Sequence, residues 1–123
     1  MILASLIQAI HFVIVTFITF GSFSCDPGVL LVHATSCLCL LVHWYANQDI
    51  CSLSLIESTV RGVAYKDTFV HRIVSPIYNI SEKSVKVLCY TVATMGMVIS
   101  GVKLYTMRAS LSLFTRKLLS RVK

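Results

Sequence analysis

Between Cys51 and Tyr78 the chain reads CSLSLIESTVRGVAYKDTFVHRIVSPIY, and this stretch holds an acid and a base four residues apart, Glu57 and Arg61, followed by His71. A carboxylate, a guanidinium and an imidazole are the parts of an acid–base group, so Glu57, Arg61 and His71 are the candidates for catalysis. The plainer alternative is a buried ion pair that holds the stretch in one geometry, because structural pairs perturb titration as catalytic ones do. Four histidines in a short apolar chain open a second chemistry, since two imidazoles on facing helices can ligate a b-type haem. His11, His43 and His33 are the candidate ligands. Counted from the turn near residue 26 at about 1.5 Å per residue, His11 and His43 can share a level, with His33 nearer the turn. Cys39 and His43 share a helix face, but two ligands do not make a zinc site. Each histidine can equally bond a carbonyl or carboxylate between helices, so no cofactor is expected and haem b stands as the alternative.

Local chemistry predicts the elements that position these groups. Ser54 followed three residues later by Glu57 reads as a capping box, which starts a helix at Leu55. Glu57 then faces Arg61 one turn on, and Gly62 closes the helix in a left-handed conformation. A second helix is expected from about Asp67 to Ser75, with Asp67 stacked under His71 and Pro76 ending it. Ser54, Glu57, Arg61, Asp67 and His71 are therefore the structural residues of the central stretch.

The same stretch resembles the signature of a family of small multi-pass membrane proteins, mostly bacterial and known as a domain of unknown function. That pattern runs roughly Cys-Pro-Leu-Thr-x-Leu-Glu-x-x-x-Arg, then Tyr, then Phe-x-x-His-Tyr-x-x-Pro-x-x-Tyr. Cys51, Leu53, Glu57 and Arg61 follow it in register, Ser54 replaces the threonine, and Tyr65, Phe69, His71, Pro76 and Tyr78 supply its later residue types in order at slightly different spacings. Ser52, Leu55, Thr59 and Arg72 depart from it. His11 and His33 fit the places where such proteins carry a histidine in the first two helices. The resemblance covers about residues 8–78 and implies a helical membrane fold, but no reaction.

Composition points the same way. The chain has 123 residues, enough for one domain, and 13% of them are charged against about a quarter in soluble domains. Five cysteines, three of them inside apolar runs, read as buried free thiols and not as a disulfide framework. Ile2 to Phe23, Val29 to Ala46 and Val87 to about Tyr105 are each long enough to cross a bilayer. Asp26-Pro27-Gly28 makes a tight turn between the first two. Ser5 with Ala9, and Gly96 with Ser100, are small pairs four apart that allow close helix approach. The fold expected is an all-α membrane bundle of three transmembrane helices, a short helix and a partly inserted fourth.

All eleven lysines and arginines lie from Arg61 onward, for a net charge of +6. From Arg108 the sequence continues as a basic amphipathic helix, with Leu111, Phe114, Leu118 and Val122 on one stripe and Arg116, Lys117 and Lys123 off it. The chain thus divides into a bundle over 1–106 and a C-terminal helix over 107–123. Arg108, Arg116, Lys117, Arg121 and Lys123 are the expected contacts to anionic lipid or an acidic protein surface. The central stretch is expected to cross or dip deeply into the bilayer, which places both termini on one side, the basic one. No nucleophile elbow, phosphate-binding loop, zinc-protease helix or dinucleotide turn occurs, and the basic residues lack the interleaved aromatics of a sequence-specific nucleic-acid face. The function expected is structural: a multi-pass membrane subunit or scaffold in a larger assembly, such as an organelle complex or a virion's inner membrane. A haem or redox subunit is the alternative, and a membrane enzyme using Glu57 and His71 is third.

Overall fold

The computed structural model describes the backbone of residues 2–64 and 82–119 and the side chains of 2–64 and 83–109. Among the described residues there are four α-helices: α1 (Ile2–Phe20), α2 (Pro27–Ala46), α3 (Ser52–Arg61) and α4 (Glu82–Leu119). Three segments, Ile2–Phe23, Pro27–Ala46 and Lys83–Ala109, are long and apolar enough to cross a membrane. The fold is an all-α bundle of the membrane type.

Its inside and outside are arranged for lipid. Leu3, Leu6, Phe12, Val13, Leu31, Val32, Val87 and Val102 are among the large apolar side chains facing outward, while His11, His33, Ser54, Glu57 and Ser100 are buried. In hydrocarbon an unpaired polar group costs several kcal/mol, so polar side chains turn inward and find each other.

A single 3-10 turn at Gly21–Phe23 follows α1. Asp26 then caps α2, its carboxylate accepting from the Val29 amide at 2.9 Å, with Pro27 in the first turn where its missing N–H costs nothing. The result is the tight α1–α2 hairpin that the Asp-Pro-Gly run predicts. Lys103 of α4 reaches this corner and donates to the Ser22 and Ser24 carbonyls at 2.9 and 3.2 Å, satisfying acceptors that a helix end leaves open.

α4 packs antiparallel along α2. Near one end Tyr90 donates to Asp49 at 2.7 Å, Lys86 pairs with Asp49 at 3.6 Å, and the Trp44 and Tyr90 rings lie 5.2 Å apart. Near the other end Ser100 meets His33. α4 therefore runs parallel to α1, so the start of α1 and the end of α4 stand at opposite ends of the bundle. This corrects the expectation of both termini on one side. That expectation needed a net crossing between α3 and α4, whereas α3 and the start of α4 lie toward the same end.

The expected helix over 67–75, with Asp67 and His71, lies outside the described residues. Gly96 and Ser100 form the close-packing face that their spacing predicts, against His33. Ser5 and Ala9 instead face outward. α4 continues as one helix through 106/107 to Leu119. Its 38 residues span about 57 Å, longer than the hydrocarbon core of about 30 Å that a helix must match to cross a bilayer. Arg108 is exposed on it, and the side chains of Arg116, Lys117, Arg121 and Lys123 lie outside the described residues.

Candidate functional site

The polar interior gathers at two places. The first is around His33, which is fully buried on α2. Its Nε2 lies 3.0 Å from the Ile18 carbonyl and its Nδ1 2.8 Å from the Ser100 hydroxyl. A carbonyl only accepts, so Nε2 donates to Ile18, while Nδ1 shares its bond with the Ser100 hydroxyl. One imidazole thus ties α2 to α1 and α4. Glycines make room for it: a Cβ on Gly21 would stand 2.4 Å from His33 Cδ2, and one on Gly96 would stand 3.0 Å from Cε1. Phe17 closes the slot edge-on, ring centres 5.4 Å apart.

The second place is the seam between α1 and α3. The Glu57 side chain is 0% exposed, and its Oε1 accepts from Arg61 at 2.9 Å and from the Gln8 side-chain amide of α1 at 2.9 Å. Glu57 and Arg61 pair as the four-residue spacing predicts, and Gln8 is the third member, which the local pattern of the central stretch could not reveal. A glutamine interrupting an apolar span was the available signal. His71 lies outside the described residues.

The capping box does not form. α3 starts three residues earlier than expected, at Ser52, with Cys51 in extended geometry as its cap. Ser54 is buried in the first turn, and Glu57 points across to Gln8 instead of back along its own helix. At the observed start a partner from elsewhere in the chain serves the first turn: the His43 imidazole accepts from the Ser52 amide at 3.3 Å, satisfying one of the donors a helix start leaves open. Gly62 does close the helix as predicted, at φ 62°, with Gly62 and Val63 amides bonding back to the Thr59 and Ser58 carbonyls.

His11 faces the same helix start from α1. Its Nε2 is 4.0 Å from the Cys51 sulphur. His11 and His43 thus stand at one level, as counting along the hairpin allowed, but they meet consecutive residues of the chain, Cys51 and Ser52. His33 is engaged at both nitrogens one level away. Burial pushes the Cys51 thiol up, yet the His11 imidazole and the Ser54 and Leu53 amides outweigh it and bring the thiol down to about 7. An acid–base and nucleophilic pair therefore sits at the head of α3. Nothing local in the sequence marks this pair, because Cys51 and His11 are 40 residues apart and meet only through the packing of α1 against α3.

No protein-family model, curated protein or solved structure matches this chain. Among the described residues, the polar groups that the packing of α1, α2 and α3 brings together are Gln8, His11, His43, Cys51, Glu57 and Arg61.

Proposed function

We propose that the protein is a structural subunit of a lipid bilayer, a small multi-pass scaffold that works within a larger assembly. The observation that carries this reading is the use of its buried polar groups. His33 bonds α1 and α4, Glu57 bonds α1 and its own helix, and Lys103 closes the corner of the hairpin. Such links fix one helix arrangement where the hydrophobic effect cannot, since lipid tails are as apolar as the helix surfaces. The basic end of α4, past the bilayer, is the element that would meet anionic lipid or an acidic surface of another subunit.

Native electrophoresis and visible spectroscopy of membranes solubilised in mild detergent test this. The protein is expected to migrate in an assembly larger than a monomer in its micelle. Deletion of 108–123 should leave it inserted but release it from that assembly or from anionic vesicles, more so in low salt. A monomer carrying a haem absorption band, or a truncation with unchanged association at every ionic strength, would overturn the reading.

A further inference from the structure

The head of α3 carries a nucleophile and a base that the scaffold role does not use. We propose that Cys51, with His11 as its base, accepts a long-chain acyl group from a fatty acyl-coenzyme A thioester, becoming S-acylated without a separate transferase. Three observations converge on it. The sulphur and the imidazole Nε2 are 4.0 Å apart and come from different helices, so the pair is set by tertiary packing. The thiol is only part-buried, at the end of the α2–α3 loop, on a segment that is not itself a candidate span. Beside it Ile50, Leu55 and Ile56 are 40%, 50% and 50% exposed, an apolar strip on which an acyl chain can lie.

The chemistry narrows the choice. Disulfide formation would need an oxidant, and among the described residues no group of three or more His, Cys, Asp or Glu is placed to hold a metal ion. Acyl exchange between thiols needs neither. His11 Nε2 takes the Cys51 proton and the thiolate adds to the thioester carbonyl. The carbon–sulphur bond to coenzyme A then breaks as the new one forms, and the departing thiolate recovers the proton from His11. No atom changes oxidation state. Among the described residues, the titratable groups around the site are His11 on α1, His43 at the end of α2, Glu57 on α3, and Cys89 on α4.

The test uses the full chain in phosphatidylcholine vesicles with palmitoyl-coenzyme A, locating adducts by peptide mass spectrometry and hydroxylamine release. Cys25, exposed in the α1–α2 turn, is the internal reference for an unassisted thiol. Cys51 is expected to acylate at least about tenfold faster than Cys25 at pH 7, and its iodoacetamide alkylation to rise through about pH 7, against about 8.5 for a free thiol. His11→Gln should bring the acylation rate down toward that of Cys25 and raise the alkylation midpoint by at least about one pH unit. Equal rates at Cys51 and Cys25 in the unaltered chain would overturn the proposal without recourse to any variant. So would a folded His11→Gln protein whose rate and midpoint are unchanged.

Discussion

Glu57 and Arg61 form a pair in which one partner is sealed from water and the other is not, and this asymmetry predicts an order of damage. At an effective dielectric of about 20, two charges about 4 Å apart attract by about 4 kcal/mol. Part of that is offset by desolvating the carboxylate, whose side chain is 0% exposed, while the Arg61 side chain keeps 24% of its surface. Arg61→Leu takes the guanidinium away from a buried carboxylate that keeps its Gln8 amide, at a cost of about 3 kcal/mol, at the low end for breaking a buried pair because water reaches Arg61. Glu57→Leu leaves a guanidinium that can swing into water, so its cost is nearer 1 to 2 kcal/mol, mostly lost hydrogen bonds. The double variant restores an apolar seam and should cost about as much as Glu57→Leu alone. Thermal unfolding in detergent, followed by Trp44 fluorescence, measures the cycle, and the expected coupling is about 2 to 3 kcal/mol. Additivity within about 0.5 kcal/mol would refute the reasoning, as would Glu57→Leu being the more damaging single change.

Gly21→Ala places a methyl group against the His33 ring and should destabilise by about 2 to 3 kcal/mol through overpacking and loss of the Ile18 bond, read in the same melts. Lys103→Met removes the donor to the hairpin corner and should cost about 1 kcal/mol, with faster proteolysis at residues 22–26 as the local signature. Cysteine labelling in sealed vesicles at position 2 and at 119 should occur from opposite sides, and labelling from one side would overturn the parallel course of α1 and α4.

What the amino-acid sequence determined by itself is local or compositional. Long uncharged runs mark the candidate spans, because about twenty apolar residues in a helix match the hydrocarbon core of a bilayer. The Asp26 cap, the Gly62 stop and the Glu57–Arg61 pair each depend on groups within four residues, so their spacing sufficed. Tertiary structure alone decided where α3 begins, because the acceptor for its first amide is His43, from the preceding helix. It alone decided that Gln8 completes the Glu57 pair, that His33 links three helices, and that His11 meets Cys51. These partners are separated by tens of residues, and the period of a helix says which face a side chain occupies but not which other helix will lie against it. The direction of α4 was undecidable for the same reason: basic residues stand at both ends of the bundle, and only the contacts of Asp49, His33 and Lys103 along it give the helix its sense.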